Sequence, residues 1–103
     1  MYAITFDLDT EMLRENYHND SHNNAYADIR KIMIDNGFEW KQGSVYFGGD
    51  NVDAVVCVMV VQELTRNFDW FEPSVRDIRM LRIEENNDLS PAISKRPRKT
   101  NRG

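Results

Sequence analysis

The strongest chemical signal in the sequence is a pair of carboxylates, Asp7 and Asp9, that follows an alternation of apolar residues at the start of the chain. Asp7 stands where the predicted strand ends and a loop begins. Carboxylates in such a position can bind a divalent cation or act as general acid and base. Aspartates also cap helices and solvate loops, so a purely structural role is the alternative.

A second concentration of charge lies in the last apolar alternation of the chain. Its period of two places Arg76 and Arg82 on one face and Asp77 and Arg79 on the other. Arginine binds phosphate groups through a planar fork of donors, and Asp77 can orient an arginine or join Asp7 around a metal ion or phosphate. An ion-pair ladder on an edge strand is the structural alternative.

The remaining reactive side chains give weaker signals. His18 and His22 are spaced to share a metal ion if they lie on one helix, but their asparagine-rich segment assures neither a helix nor a third ligand. Cys57 is the only cysteine and lies in an apolar run, which predicts a buried thiol and a cytoplasmic location. Three aromatic residues are expected to pack or to form dimer contacts rather than to stack on bases: Trp40, Trp70 and Phe71.

These side chains must be positioned by a small number of elements. Apolar periodicity and turn residues predict a strand at the amino terminus, a loop or a poorly packed helix end over residues 7–24, a helix near 21–36, a hairpin of 38–41 and 44–47, a second helix over 52–68, and a strand over 75–84. The order βαββαβ is that of a ferredoxin-like, two-layer α+β sandwich with a four-stranded antiparallel sheet and both helices on one face. A second copy is expected to cover the open face, which predicts a homodimer.

The second helix is the most ambiguous element, because its β-branched residues would also suit a buried strand; its length decides for a helix. Asp50 or Asn51 is predicted as the cap, with Asp53 in the first turn. The predicted buried stripe is Val52, Val55, Val56, Met59, Val60 and Leu64.

Length and charge fit one domain with a basic tail. The chain has 103 residues and a formal net charge of −4, and five of its 13 basic residues lie in the last nine positions. We therefore predict a folded domain over residues 1–93 and a disordered tail over 94–103. The acidic body excludes a broad nucleic-acid surface, so any RNA site must be local. No apolar run approaches the roughly 20 residues that span a bilayer, which predicts no membrane segment.

The string around Asp7 and Asp9 resembles the first motif of haloacid-dehalogenase-type phosphatases, Asp-x-Asp-x-Thr. The resemblance covers only seven residues. That family is built on a long, doubly wound parallel sheet, in which the predicted antiparallel hairpin has no place.

Three longer blocks resemble another family in order and spacing. They are MYAITFDL at 1–8, GFEWKQGSVY at 37–46 and SVRDIR at 74–79, the last followed by Arg82-Ile83-Glu84. Together they resemble the virulence-associated protein D (VapD) family over residues 1 to about 93. The resemblance implies a ferredoxin-like fold, homodimerisation, endoribonuclease activity on RNA, and a distant likeness to small dimeric CRISPR-associated proteins. It also implies that some relatives are toxins neutralised by a small antitoxin.

The resemblance carries a set of site residues with it. Asp7, Ser44 and Asp77 are the implied catalytic residues, while Asp9, His18 and His22 fall in a variable loop to which no role carries over. We hypothesise that Asp7 of each protomer positions Mg²⁺ or a water, and that Asp77 supports it.

In the same hypothesis Ser44 hydrogen-bonds a phosphate oxygen, while Arg76 or Arg79 binds the RNA phosphate and offsets its charge. A metal-free attack by the ribose 2′-hydroxyl is the alternative mechanism. A non-catalytic dimeric adaptor or nucleic-acid-binding module is the alternative function.

Overall fold

The four strands form one antiparallel sheet. The computed structural model describes residues 1–17 and 22–93. The strands are β1 (Tyr2–Leu8), β2 (Phe38–Gln42), β3 (Val45–Gly48) and β4 (Val75–Arg82). Their order across the sheet is β2-β3-β1-β4, so β1 lies inside the sheet while β2 and β4 form its two edges. The predicted ferredoxin-like α+β arrangement is confirmed, with the last strand ending two residues earlier than expected.

Two helices, α2 (Asn23–Asp35) and α3 (Ala54–Asn67), pack on one face of this sheet. Apolar residues recur on α2 at helical spacing, and the even-numbered residues of β1 face them, because strand side chains alternate between faces. The buried residues that these elements contribute to one core are Ala25, Ile29 and Met33 of α2, Cys57, Val60 and Leu64 of α3, and Ile4, Phe6 and Leu8 of β1. Burial of Cys57 was predicted and is confirmed.

The start of α3 differs from the prediction. Its cap is Asp53, whose Oδ1 accepts a hydrogen bond from the backbone N–H of Val56 at 2.9 Å. The helix therefore begins at Ala54, and its buried stripe falls on Cys57, Val60 and Leu64, whereas Val55 and Met59 are exposed. The predicted stripe was wrong in these two positions because it was aligned on Val52, which is buried but lies before the helix and so does not follow its spacing of about 100° per residue.

A short helix follows β1. This helix, α1 (Thr10–Asn16), lies in the segment predicted as a loop or a poorly packed helix end. Asp9 caps it, since the Asp9 Oδ1 accepts a hydrogen bond from the Met12 N–H at 3.1 Å, and Leu13 anchors it in the core. One apolar anchor in seven residues leaves little periodicity to detect, so the sequence did not distinguish a helix from a loop here.

A single-turn helix, α4 (Phe71–Ser74), leads directly into β4. Phe71 and Ser74 are both buried, and the Ser74 carbonyl accepts a hydrogen bond from the Asp9 N–H at 2.7 Å. The Ser74 hydroxyl donates to the Trp70 carbonyl at 2.7 Å. These bonds hold the start of β4 against the end of β1.

The carboxyl-terminal segment lies near the sheet face that carries no helix. Asn86 to Leu89 and the β3 residues Val45 and Phe47 line one open cavity of about 720 Å³, and a 3₁₀ turn follows at Ser90–Ile93. His18 and the basic tail predicted over 94–103 lie outside the described residues. Within the described ranges, no helix combines the length and apolar character needed to cross a bilayer.

Candidate active site

Two carboxylates face each other where β1 ends and β4 begins. The register of these antiparallel strands pairs Asp7 directly with Asp77. Both are open to solvent, with side-chain exposures of 58% and 47%. Like charges directly opposite each other destabilise a sheet, so this pair does not serve the stability of the fold.

A β-bulge beside this pair redirects an arginine toward it. Asp7 pairs with Asp77 but Leu8 pairs with Val75, so Arg76 is an extra residue in β4. Its guanidinium lies 3.6 Å from the Asp7 Oδ2 and 3.5 Å from the Asp9 Oδ2. The sequence assigned Arg76 to the face opposite Asp77, which is wrong because the bulge interrupts the alternation of side chains.

Asp77 forms an ion pair with a second arginine, Arg79. The Nε of Arg79 donates to both carboxylate oxygens of Asp77, at 3.1 and 3.2 Å. Asp77 thus orients an arginine and lies opposite Asp7 in the register of the sheet, while its predicted role with Asp7 around a metal ion or phosphate stays a prediction. The end of the sheet thus presents carboxylates interleaved with two exposed guanidinium groups, which is an arrangement suited to a phosphate and to proton transfer beside it.

Asp9 belongs to the structure of this site more than to its chemistry. The Met12 N–H, which donates to the Asp9 carboxylate, lowers the pKa of Asp9, and the charge of Arg76 lowers it further. One oxygen caps α1 while the other contacts Arg76. Because both oxygens of Asp9 are engaged, Asp7 is the carboxylate at the end of β1 with more freedom to react.

Ser44 lies at the same end of the sheet, in the turn between β2 and β3. Its carbonyl accepts a hydrogen bond from the N–H of Phe6, the residue before Asp7, at 3.2 Å. Ser44 is half-buried. The structure thus brings Asp7, Asp77, Arg76 and Arg79 together, with Ser44 one strand away beside β1.

Comparison with known proteins identifies the family of the chain. Residues 1–90 match the family described as "CRISPR associated protein Cas2". The chain is 61% identical over 94 residues to "Endoribonuclease VapD 2" of Riemerella anatipestifer, which covers 91% of this chain and all of the relative. It is 57% identical over 93 residues to "Endoribonuclease VapD homolog" of Helicobacter pylori, covering 90% of this chain and 96% of the relative. The chain belongs to the VapD family.

One further side chain, which the sequence did not reveal, lies near enough to Asp7 for the charge of Asp7 to affect it. Tyr26, in the first turns of α2, is half-buried. Burial raises the pKa of Tyr26, and the nearby negative charge of Asp7 raises it further. The amino-terminal end of α2 lies at the same end of the sheet as Asp7. In the sequence, the only signal for Tyr26 was its position beside Ala25, at the border of the buried stripe of α2.

The described residues of this chain do not form a donor set that fits a resident divalent cation. Among residues 1–17 and 22–93, no three His, Cys, Asp or Glu side chains come together as a metal site. The carboxylates that are present, Asp7, Asp9 and Asp77, already contact arginines. A cation at Asp7 would compete with Arg76 for the same oxygen and be repelled by its charge.

Proposed function

We propose that this chain is an endoribonuclease that cleaves RNA phosphodiester bonds at the end of the sheet carrying Asp7, Asp77 and Arg76. The observation that carries the proposal is the register of β1 and β4, which sets two carboxylates opposite each other with an arginine on each. Since this pair opposes the stability of the sheet, a chemical role is the better explanation for it. The relatives named endoribonucleases, which align with nine-tenths of the chain, support the same activity.

The proposed chemistry is an in-line displacement at phosphorus. An oxygen nucleophile forms a bond to phosphorus, the bond to the departing 5′ oxygen breaks, and a proton moves from the first oxygen to the second. Asp7 takes the proton from the nucleophile, a ribose 2′-hydroxyl or a water molecule. Arg76 and Arg79 offset the negative charge that accumulates on the phosphorane.

The proton for the departing oxygen comes in this proposal from Tyr26. The phenol of Tyr26 is protonated at neutral pH, as a tyrosine ordinarily is, so it can donate; burial and the charge of Asp7 raise its pKa and keep it in that form. Asp77 holds Arg79 in position through two hydrogen bonds. Ser44 supplies a hydroxyl for a non-bridging phosphate oxygen. Because a cation does not fit the single chain, no step here uses Mg²⁺.

We further propose that the active unit is a homodimer, formed at the β4 edge rather than on the open sheet face that the sequence suggested. β4 is an edge strand of eight residues whose outer backbone groups have no partner strand in the described sheet. Exposed apolar residues lie on β4 and on the neighbouring helix α3, namely Met80 and Leu81 on β4 and Val55, Val58 and Met59 on α3. A long exposed edge beside apolar side chains is typical of a surface that pairs with another chain.

The dimer proposal is tested by sedimentation of the purified chain and of Met59→Glu. We expect the wild type to sediment as a dimer and the variant, which places a charge on the apolar surface, as a monomer. A variant that dimerises with wild-type affinity contradicts the use of this surface. We also propose a toxin role and a small antitoxin partner, and these two proposals rest on the family resemblance alone.

The function itself is tested by a cleavage time course on a labelled single-stranded RNA. Wild type and Asp7→Ala are purified identically, so that a contaminating nuclease would cut with both. We expect cleavage by the wild type alone. Absence of cleavage by both proteins favours the non-catalytic adaptor, which has no turnover to lose.

A further inference from the structure

Trp40 on β2 is an exposed aromatic ring that is held from two sides. It is 42% exposed, whereas Trp70 is 4% exposed. The guanidinium carbon of Arg30 lies 3.7 Å from the centre of its ring, and the Trp40 Nε1 donates to the Gly43 carbonyl at 2.9 Å. The ring is therefore fixed in orientation, and the part of it not covered by Arg30 is open to solvent. The predicted packing of Trp40 is seen against Arg30, and its predicted dimer contact stays a prediction.

The position of Arg30 beneath this ring lowers the stability of the fold, because it buries a polar atom. Its Nε is buried, and it has no hydrogen-bond partner in the part of the chain that the structure describes. Arg30 also contacts the buried Tyr46, where its hydrogen bond and charge partly counter the rise in the pKa of Tyr46 that burial causes. An apolar side chain would cover Trp40 without that cost, so what Arg30 adds is a positive charge behind an aromatic face. A ligand that combines a π-system with negative charge would use both.

A continuous path joins this ring to the candidate active site. Tyr26, which feels the charge of Asp7, and Arg30 lie one helical turn apart on α2, and Arg30 covers Trp40. Within the sheet, Trp40 pairs with Tyr46 and Tyr46 pairs with Ile4. Since neighbouring strands are about 4.8 Å apart, Trp40 and Ile4 are separated by about 10 Å across the sheet, and Asp7 lies three residues, about 10 Å, further along β1. The ring and Asp7 are therefore roughly 14 Å apart, a distance that a few nucleotides of a single strand can span.

We propose that Trp40, backed by Arg30, is a stacking platform for an unpaired base of the RNA, a few nucleotides from the phosphate that is cleaved. The proposal rests on the proposed endoribonuclease function. Bases stack on exposed aromatic rings independently of sequence, and a fixed ring loses little freedom when a base binds. The platform lies on β2, at the opposite edge of the sheet from the β4 surface proposed for dimerisation, so it stays open in that dimer.

Binding to a cleavage-resistant probe tests the platform separately from catalysis. The probe is a single-stranded RNA oligonucleotide with a 2′-O-methyl group on every ribose, followed by its anisotropy and by the tryptophan emission of the full chain. We compare the wild type with Trp40→Ala, Trp40→Phe and Asp7→Asn. Because Trp70 is buried, a change in emission on binding reports on Trp40.

We expect the wild type to bind with a change in tryptophan emission, and Trp40→Ala to bind about 5- to 100-fold more weakly, the range that loss of one base–aromatic stack causes. Trp40→Phe is expected to bind much closer to wild type but without the emission change, and Asp7→Asn to bind with it. Unchanged affinity of Trp40→Ala, unchanged wild-type emission, or no binding of the probe overturns the platform. An emission change on concentrating the protein alone also overturns it, because a second copy then covers Trp40.

The outcomes separate the two proposals. If the wild type cuts RNA while Trp40→Ala binds the probe with wild-type affinity, the platform fails and the endoribonuclease stands. If Trp40-dependent binding is present but no RNA is cut, the platform stands and the endoribonuclease fails. Thermal unfolding of Trp40→Phe, which keeps an aromatic ring over Arg30, checks that the fold is retained.

Discussion

Replacement of Asp7 by asparagine separates the chemistry of the site from its stability. The substitution keeps the size of the side chain and removes its charge and its capacity to accept a proton. Loss of a general base typically lowers the rate about 10²- to 10⁴-fold, and we expect a fall of that size in the rate of RNA cleavage.

The cost to folding is expected to be small, for reasons that the geometry supplies. The Asp7–Arg76 pair is 3.6 Å long, and both side chains are more than half exposed, so its loss costs at most about 1 kcal/mol. Removal of the Asp7 charge also relieves its repulsion of Asp77, which acts in the opposite direction. For a chain of this length, we therefore expect the Tm to change by less than about 5 °C.

The assay is a single-turnover cleavage of a labelled single-stranded RNA, with thermal unfolding recorded on the same preparations. Asp50→Asn is the matched control, since Asp50 is exposed and follows β3 at the other end of the sheet. We expect this control to match the wild type in both measurements. Cleavage by Asp7→Asn within about threefold of the control would refute the role of Asp7, and a large loss of Tm would refute the argument that the site is separable from the fold.

Further measurements probe the charges around Asp7. Arg76→Ala is expected to lower the cleavage rate about 100-fold, the lower end of what loss of one charge-stabilising donor costs, because the site is exposed; a rate equal to that of Arg82→Ala would contradict this. Excess EDTA is expected to leave cleavage within about threefold of the rate in Mg²⁺, and its abolition would instead support a cation shared by Asp7 of two protomers. The pKa of Asp9 is lowered in the folded state, so its contribution to stability is present above 3.8 and is lost as the pH falls through the folded value. The Tm of Asp9→Asn should therefore fall less than that of the wild type between about pH 5 and pH 2. An equal fall of Tm in the two proteins would contradict the role of Asp9.

Local patterns predicted the order of elements, because the signals are short in range. The alternation in β1, the glycines around the β2–β3 hairpin and the helical spacing of Ala25, Ile29 and Met33 each lie within one element. The helix α1 could not be told from a loop because one buried residue, Leu13, gives no periodicity. The start of α3 was placed too early because Asp50, Asn51 and Asp53 are all suitable caps.

Register is what the sequence could not supply. Asp7 and Asp77 were expected to cooperate, but their direct opposition depends on how β1 and β4 pair, 70 residues apart in the chain. The bulge at Arg76 cannot be recognised in the sequence of β4, because a regular strand with alternating side chains fits the same residues equally well. Tyr26 and the pairing of Arg30 with Trp40 were missed for the same reason, because both depend on where α2 packs.

The bulge at Arg76 also bears on how the length of β4 can change during evolution. Deletion of this one residue would leave Leu8 opposite Val75 and Asp7 opposite Asp77, with a regular ladder between them. The two carboxylates would keep their places while the cation beside them was lost. Alignments of relatives should therefore contain no gap within residues 75–77. At this point in β4, selection acts on the number of residues as well as on their identity.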